Sequence, residues 1–422
     1  MTIEQSLNKM QVAYIVGRMN YLPLGGVAMH DFREFRGDIN IDIFTECLQD
    51  MVSRHPALRT VIDQTTFTQH LAEHGEVNLT VVDYSGSPRH EALRQTEILR
   101  EQVSHYKHDS GKSPWGVWFL TIDKEQTTDF STVIFFSFDG LILDGYSISL
   151  LINEIITRYM RQMAGSACAD EKPANQNIQN TDFYLNKDTD KAYWLENISS
   201  LKPNEFPWRT PLERIPQSRY RRCGLEISRD VWDDVTKYSR SSGVFPNSLI
   251  NTIVLRALCK LTNNASFYVG LAVSFSLYRN ELANNSTVIP LNYTECDRSL
   301  LEVAKDIQTE TMNGLFHISF SGIEIARNLC SQFKTSIPFP IVLTNALSWA
   351  AAPYYSDFYY AAGLTQTPQI GFDIRIYLSS QESLLVDIDF AEEAVSDDVV
   401  KQLLVLIQEQ TALVHAQTLP VI

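Results

Sequence analysis

Short apolar runs alternate with amphipathic helical patterns along the whole chain. Val133–Phe138 is a continuous apolar run bounded by polar residues, which is typical of a strand covered on both faces. Tyr146–Met163 then carries apolar residues at helical spacing. The same criteria predict strands over 27–35, 77–83, 116–122, 131–138, 224–227, 267–275, 288–293, 341–344, 369–377 and 384–390. They predict helices over 2–18, 43–54, 89–106, 146–163, 188–201, 230–241, 246–261, 300–315 and 396–417. This mixed order indicates α/β sandwich lobes.

One polar stretch without periodicity interrupts this alternation. It covers residues 166–180 and is the best candidate for a linker. We therefore expect two units, an N-terminal lobe over 1–170 and a C-terminal lobe over 181–422. A chain of 422 residues that is 44% hydrophobic is long enough for two such cores.

Composition narrows the classes of partner and compartment. A formal net charge of −15 disfavours nucleic acid as a partner. The six cysteines are scattered without paired spacing, which fits reduced thiols better than disulfides or a zinc site. The N-terminus lacks the apolar core of a signal peptide, and no apolar run is long enough to span a bilayer. We expect a soluble cytoplasmic monomer that binds no metal.

Two aspartates follow the apolar strand at 133–138. Asp139 and Asp144 lie in a turn with Gly140 and Gly145, just before the helix that contains Ser147. A structural interpretation is available for both, because Asp144 can cap the helix and Asp139 can shape the turn. Burying two carboxylates beside an apolar strand is nevertheless costly without partners.

The order of these residues resembles a family signature. Asp139, Asp144 and Ser147 spell D-x-x-x-x-D-x-x-S. This resembles the motif of heterocyclization (Cy) domains of nonribosomal peptide synthetases, which belong to the condensation-domain superfamily. Ordinary condensation domains read H-H-x-x-x-D-G there, and this chain has Asp139 and Gly140 in place of the two histidines. A histidine-dependent condensation domain is therefore disfavoured.

Motifs in the first sixty residues extend the resemblance. Residues 11–18 match Q-x-A-Y-x-x-G-R, residues 25–30 match G-G-V-A-x-H, and residues 54–59 match R-H-x-x-L-R. His30 and His55 lie within these motifs. We assign neither to chemistry, since His55 ends a predicted helix, where a cationic side chain suits the terminal carbonyls.

Two further motifs carry candidate chemistry in the second half. Residues 338–345 resemble the family's I-V-F-T-S strand end, and residues 365–373 resemble S-Q-T-P-Q-V-W-I-D. The threonine and aspartate that act in cyclodehydration in the family fall on Thr344 and Asp373. Taken alone, Thr344 is a common strand residue and Asp373 a solvated one. In register with the family, both are predicted to be functional.

The resemblance implies a fold and a set of roles. The family folds as two chloramphenicol-acetyltransferase-like lobes in a V-shaped pseudo-dimer, with a tunnel between them. Catalytic roles fall on Asp139, Thr344 and Asp373, and substrate contacts on Gly140 and Gln369. Structural roles at the active site fall on Asp144, Ser147 and, as the partner of Asp144, Arg279.

The implied reaction uses substrates held by other domains. A donor acyl or peptidyl group is condensed with carrier-bound Cys, Ser or Thr, and cyclodehydration then yields a thiazoline or oxazoline. No cofactor is bound directly, because the substrates arrive on phosphopantetheine arms of carrier proteins. Carrier domains and other synthetase modules are the expected partners, in trans if the chain is complete and flanking it if it is excised.

Departures from the family pattern keep two alternatives open. The D-F-T motif expected near 287–289 is absent, and the loop around 279–285 is shortened. Gly371 stands where the family has tryptophan, and Ile374 and Arg375 replace the polar residues that usually follow Asp373. In the first alternative the chain is an acyltransferase that condenses but does not cyclize. In the second it is a catalytically silent domain that docks carrier proteins.

Overall fold

A computed structural model describes residues 4–123, 130–165, 187–274, 282–295, 298–349 and 355–418. The strands are β1 (Gln5–Ser6), β2 (His30–Gly37), β3 (Thr60–Asp63), β4 (Thr68–Leu71), β5 (Leu79–Asp83), β6 (Trp115–Thr121), β7 (Thr132–Asp139), β8 (Tyr220–Ile227), β9 (Ser266–Ser274), β10 (Ser286–Thr294), β11 (Ile341–Asn345), β12 (Phe358–Gln366), β13 (Phe372–Leu378) and β14 (Leu384–Ala391). The helices are α1 (Lys9–Gly17), α2 (Ile41–Arg54), α3 (Arg89–Ser104), α4 (Gly145–Met163), α5 (Lys187–Ile198), α6 (Arg229–Ser241), α7 (Pro246–Thr262), α8 (Leu300–Phe316), α9 (Gly322–Phe333) and α10 (Asp397–Ala416).

The chain forms two lobes, each built on its own sheet. The first sheet has the order β12-β2-β7-β6-β5, and the second has the order β10-β9-β11-β13-β14-β8. A small third sheet pairs β1, β4 and β3 beside the first lobe. The predicted mixed α/β fold with two sheet-based lobes is confirmed. The predicted linker at 166–180 lies outside the described residues.

The first lobe is organised around β7. All eight residues of this strand are buried, as its unbroken apolar run predicts. It pairs with β2 on one side and β6 on the other, both antiparallel. Helices α2 and α4 cover one face, and Asn40 caps α2 by accepting hydrogen bonds from two backbone N–H groups of its first turn.

The second lobe is packed around helix α7. Eleven of its seventeen residues are buried, because α8, α10 and the second sheet surround it. Strand β11 is parallel to both of its neighbours, β9 and β13, whereas the other pairs in this sheet are antiparallel. Parallel pairing places the C-terminal ends of β11 and β9 at the same edge of the sheet.

The structure corrects several sequence-based element boundaries. The helix predicted from residue 2 begins only at Lys9, because Asn8 and Gln11 form a capping box and residues 5–6 pair with β4. Strand β8 begins at Tyr220 and is longer than the predicted strand at 224–227. Helix α9 and strand β12 were not predicted.

Strand β12 crosses from the second half of the chain into the first sheet. It pairs antiparallel with β2 from Phe358 to Gln366, with an irregularity between Tyr360 and Ala362. Phe358 is fully buried in the first lobe, where its ring lies 5.7 Å from that of Phe35 and 5.6 Å from that of Tyr159, centroid to centroid. The division at 170/181 therefore follows chain order rather than sheet membership.

We predict that Phe358→Ala lowers the free energy of unfolding by ~3–5 kcal/mol, since it empties a fully packed aromatic site. Urea unfolding followed by circular dichroism measures this. Leu413→Ala, at an exposed position of α10, is the control and should change stability by less than ~0.5 kcal/mol. Equal, small effects of the two substitutions would show that β12 is not anchored through this ring.

Candidate active site

Asp139 ends β7 and is completely buried. Its Oδ1 accepts a hydrogen bond from the backbone N–H of Leu141 at 3.0 Å and pairs with Arg18 Nη2 at 3.2 Å. Its Oδ2 is buried and has no hydrogen-bond partner among the described residues. Gly140 follows in tight packing, because a Cβ there would lie 2.4 Å from Met29 Cγ. The Arg18 contact ties the turn to the region just after α1.

Asp144 caps α4 and also joins the two halves of the chain. Its Oδ1 accepts from the backbone N–H of Ser147 at 2.8 Å. Its Oδ2 accepts from the Ser274 hydroxyl at 2.8 Å and from the backbone N–H of Asn285 at 3.0 Å. The Ser147 hydroxyl in turn donates to the carbonyl of Ala283 at 2.9 Å. Arg279, the predicted partner of Asp144, lies outside the described residues.

Thr344 and Asp373 meet although 28 residues separate them in the chain. Their strands, β11 and β13, are parallel neighbours, with Val342 opposite Asp373 and Thr344 opposite Arg375. The Thr344 hydroxyl donates to Asp373 Oδ1 at 2.8 Å. Both residues are buried, with 8% and 7% of their surface exposed. The structure thus brings together the two residues that the motif comparison selected.

The surroundings of Asp373 favour its protonated form. Burial raises the pKa of Asp373 to about 6, and the neighbouring Asp389 carboxylate acts in the same direction. The charges of Arg375 and Arg222 and the hydrogen bond from Thr344 oppose this shift without cancelling it. A carboxyl group with this pKa can exchange a proton near neutral pH.

Charged residues form two cross-strand rows on this face of the second sheet. In the first, Asp373 lies opposite Asp389, which lies opposite Arg222. In the second, Arg375 lies opposite Asp387, which lies opposite Gly224. Directly opposite residues of paired strands point to the same face. Gly224 is required there, because a Cβ would lie 2.2 Å from Asp387 Oδ1.

Arg222 neutralises the carboxylates of these rows. Its Nε and Nη2 each donate to Asp389 at 2.6 Å, and its Nη1 lies 3.0 Å from Asp387 Oδ2. The Tyr377 hydroxyl donates to the same Asp387 oxygen at 2.5 Å. Bidentate arginine pairing of this kind is the strongest ordinary form of an ion pair.

The sequence-based interpretation did not find this network. A signal for it exists, since Asp373 and Arg375, like Asp387 and Asp389, are two residues apart within predicted strands. Spacing of two puts both members of each pair on one face. Charges inside an otherwise apolar strand indicate buried partners, but only the strand order identifies Arg222 as the partner.

The hydrogen-bonded pair of Thr344 and Asp373, hereafter the dyad, lies on the wall of a cavity of about 410 Å³ between elements of both lobes. Asp144, Thr344, Gln369 and Asp373 line it. Most of its wall is apolar, contributed by side chains such as Leu271, Val288, Leu315, Ile323, Phe339 and Ile370. Asp139 and Gly140 are not among its lining residues in the described part of the chain.

A second cavity, of about 370 Å³, adjoins the first. The two share four lining residues, Asp31, Trp349, Thr365 and Arg375. The wall of the second cavity is more polar and includes Arg33 and Arg222. Space therefore continues from the dyad on both sides of Arg375.

Gln369 reaches the first cavity from a constrained backbone. Its φ is 64°, in the left-handed region that non-glycine residues seldom adopt. Its backbone N–H donates to the carbonyl of Leu24 at 3.0 Å, and its side-chain amide donates to the carbonyl of Ser336 at 3.2 Å. The first bond holds the loop before β13 against the first half of the chain, and the second holds it against the segment before β11.

Two departures from the family pattern have defined surroundings in the structure. Gly371 stands where the family has tryptophan, and a Cβ there would lie 2.6 Å from the ring of Trp208. The Trp208 indole thus packs where a side chain at 371 would begin. Thr287, in the region of the missing D-F-T motif, accepts a hydrogen bond from the backbone N–H of Gly322, the first residue of α9.

Two observations bear on metals and membranes. Within the described ranges, no group of three or more His, Cys, Asp or Glu side chains is arranged to hold a metal ion. Across the same ranges, no helix is both long and apolar enough to cross a membrane.

Comparisons with known proteins agree with this geometry. The family model of the condensation domain matches residues 26–280, more than half of the chain. Bacitracin synthase 1 of Bacillus licheniformis is 21% identical over 94% of this chain, and phenyloxazoline synthase MbtB of Mycobacterium tuberculosis is 21% identical over 88% of it. The chain spans only 8% and 27% of those two proteins.

A solved structure shows the same fold over nearly the whole chain. The EpoB NRPS cyclization-docking bidomain from Sorangium cellulosum superimposes with a TM-score of 0.83 at 18% identity, covering 99% of this chain and 85% of that one. Domains of the condensation family act on substrates held on phosphopantetheine arms of carrier proteins, as the sequence motifs implied. The two-lobed fold, the cavity between the lobes and the match over residues 26–280 together place the chain in the condensation-domain family of acyltransferases.

Proposed function

We propose that this domain joins a carrier-bound acyl or peptidyl donor to carrier-bound cysteine, serine or threonine, and then removes water to form a thiazoline or oxazoline. The observation that carries the proposal is the buried 2.8 Å hydrogen bond from Thr344 to Asp373 on the wall of the cavity between the lobes. It supplies a proton-transferring carboxyl group, held in one orientation, where a carried substrate would lie.

The first step forms an amide. The acceptor amine attacks the donor thioester carbon and the carbonyl oxygen becomes an oxyanion. The carbonyl re-forms as the C–S bond breaks, and the proton lost by the amine converts the departing thiolate of the donor carrier to a thiol. The adjoining cavities give two pantetheine arms room to meet beside Asp373. Donor and acceptor carrier domains, supplied by other synthetase modules in trans or in the same chain, are the partners that this step requires.

The second step closes the ring and removes water. The acceptor's thiol or hydroxyl adds to the new amide carbon and gives a five-membered ring with a hydroxyl group. Protonated Asp373 donates its proton to that hydroxyl, the C–O bond breaks, and water leaves. The Asp373 carboxylate then accepts the ring N–H proton as the C=N bond forms. The carboxyl group is thereby restored, and Thr344 fixes its orientation throughout.

The relatives' names support this choice over simple condensation. One relative is a phenyloxazoline synthase, and the superimposed structure is a cyclization domain. Asp139 in place of a histidine, with Thr344 and Asp373 both present and in contact, follows the heterocyclization pattern.

Condensation without cyclization is the second candidate. The observation that favours it is Gly371, whose neighbour Trp208 occupies the space in which the family's tryptophan would begin. Intact mass spectrometry of a loaded carrier separates the two candidates. Condensation joins the acyl groups, and cyclization removes one further water.

We predict that Asp373→Asn leaves uncyclized amide on the acceptor carrier and slows ring formation by ~10²–10⁴-fold, the usual contribution of a positioned acid–base group. Single-turnover mass spectrometry of amide and ring gives both rates.

Thr344→Val should slow ring formation roughly ten- to a hundredfold, as for the loss of a hydrogen bond to a charged group. The control is Thr236→Val, because the hydroxyl of Thr236 has no hydrogen-bond partner in the described structure. Ring formation by Asp373→Asn at the wild-type rate would refute the role of the dyad.

We also predict the pH dependence of ring formation. Because the protonated form of Asp373 starts the dehydration and burial raises its pKa to about 6, cyclization should slow as the pH rises through 6 and beyond. Amide formation, measured in the same reactions, should not show this limb. A cyclization rate that instead falls on acidification through pH 6 would contradict the acid role.

Asp139→Ala should reduce condensation and also destabilise the fold. It removes the carboxylate partner of Arg18, which keeps only neutral acceptors on Tyr14 and Gln64, and breaking a buried ion pair from one side typically costs ~3–5 kcal/mol. Amide formation and urea unfolding measure the two effects, and Asp139→Asn, which keeps an acceptor for Leu141, is the matched control. Normal amide formation by a stable Asp139→Ala variant would remove Asp139 from any role in condensation.

A further inference from the structure

The side chain of Arg375 lies between the two cavities. It lines both of them, and its side chain is 12% exposed. Its Nη1 lies 3.7 Å from Asp373 Oδ2 in the second sheet, and its Nη2 lies 3.9 Å from Asp31 Oδ2 on β2 of the first sheet. One guanidinium therefore faces a carboxylate from each lobe.

Neither contact is short enough to be a hydrogen bond. No hydrogen bond from Arg375 to any residue is observed in the described ranges, in contrast to its neighbours. Arg222 donates two hydrogen bonds of 2.6 Å to Asp389, and Arg33 donates bonds of 2.8 and 3.2 Å to Asp31. Arg375 thus acts on Asp373 through its charge, and that charge is divided with Asp31.

We propose that Arg375 is a positioning residue that sets the protonation state of Asp373 for dehydration, and that Asp31, from the other lobe, limits how much of its charge Asp373 feels. The proposal rests on the function proposed above, in which Asp373 donates and then recovers a proton. It assigns a role to an arginine that stands where the family pattern has a different polar residue.

The groups that face Asp373 determine the sign of each effect. Burial and the Asp389 carboxylate on β14 favour the protonated acid. Arg375 on β13, Arg222 on β8 and the Thr344 hydroxyl on β11 favour the carboxylate. Removal of Arg375 should therefore raise the pKa of Asp373 above about 6.

Asp31 responds differently to the same cations. Burial alone would raise the pKa of Asp31, but Arg33 and Arg375 outweigh burial and hold it below its usual value. Asp31 is therefore an anion at neutral pH and competes for Arg375. Its replacement by asparagine removes a negative charge and releases Arg375 to Asp373, so the pKa of Asp373 should fall.

This arrangement suits a group that must work in both directions. A guanidinium at hydrogen-bond distance would favour the carboxylate form of Asp373 more strongly than one at 3.7 Å does. With no cation nearby, the pKa of Asp373 would be higher and proton donation less favourable, because its carboxylate would be buried without a compensating charge. A guanidinium at 3.7 Å stabilises the carboxylate after proton donation and leaves the acid accessible beforehand.

The test measures the pKa of Asp373 directly, and then its effect on the reaction. Protein labelled with ¹³C at aspartate carboxyl carbons is titrated by NMR, and the Asp373 signal is assigned by its loss in Asp373→Asn. We expect Arg375→Gln to raise this pKa by ~1 unit or more, and Asp31→Asn to lower it. Arg375→Lys, which keeps the charge, should lie near wild type. The alkaline limb of the cyclization rate should move in parallel.

Matched controls separate this role from a general loss of structure. Arg256→Gln removes an arginine of similar exposure, 15%, that pairs with Glu295, and should leave the Asp373 titration unchanged. Urea midpoints identify any variant that is unfolded, and Arg375→Lys against Arg375→Gln remains informative if Asp31→Asn does not fold. Unchanged Asp373 titration in a folded Arg375→Gln variant overturns the inference.

Failure of the proposed function gives a different result. A wild-type domain that forms amide but no ring refutes cyclization, whereas the NMR titration still reports whether Arg375 and Asp31 govern Asp373. Shifts in titration without parallel shifts in the rate limb would refute the link to dehydration, and with it the positioning role.

Discussion

Burial of carboxylates on one face of the second sheet requires cations at fixed positions, and the active-site geometry depends on this requirement. Asp373, Asp387 and Asp389 lie on neighbouring strands. Without cations, their mutual repulsion and their loss of hydration would make burial of the charged carboxylates unfavourable. Arg222 forms close hydrogen bonds to Asp389, and Arg375 faces Asp373 from a greater distance. Arg222 thus holds Asp389 by direct hydrogen bonds, whereas Arg375 acts on Asp373 through its charge across a longer distance.

Sequence reasoning predicted most of the elements because burial leaves a clear apolar period. Strand β7 was predicted from its unbroken apolar run and helix α4 from its helical period, and the motif comparison selected Thr344 and Asp373, whose side chains are in contact. Strand β12 was not predicted, because its mixture of tyrosine, alanine and glycine shows no strict alternation of apolar and polar residues. The partners of buried charges, such as Arg222 for Asp389, depend on the order of strands in the sheet, which spacing along the chain does not contain.

The two aspartates of the turn at 139–144 differ in what surrounds them. Asp144 uses both oxygens, one for the start of α4 and one for residues of the second half, so it fixes the turn relative to the cavity. Asp139 pairs with Arg18 and keeps one buried oxygen without a hydrogen-bond partner in the described structure. Their equal rank in the sequence signature therefore conceals different environments, one at the cavity wall and one behind it.

Strand β12 comes from the second half of the chain but belongs to the sheet of the first lobe, and this affects how such chains can be divided or recombined. A fragment that stops near residue 165 would lack the strand that covers the edge of β2, and an uncovered edge invites pairing with other molecules. In a chimaera made by joining halves of two relatives, β2 of one parent would have to pair with β12 of the other. Grafting residues 355–366 together with the first half keeps these partners matched, so a recombination boundary that respects the sheets is discontinuous in the chain.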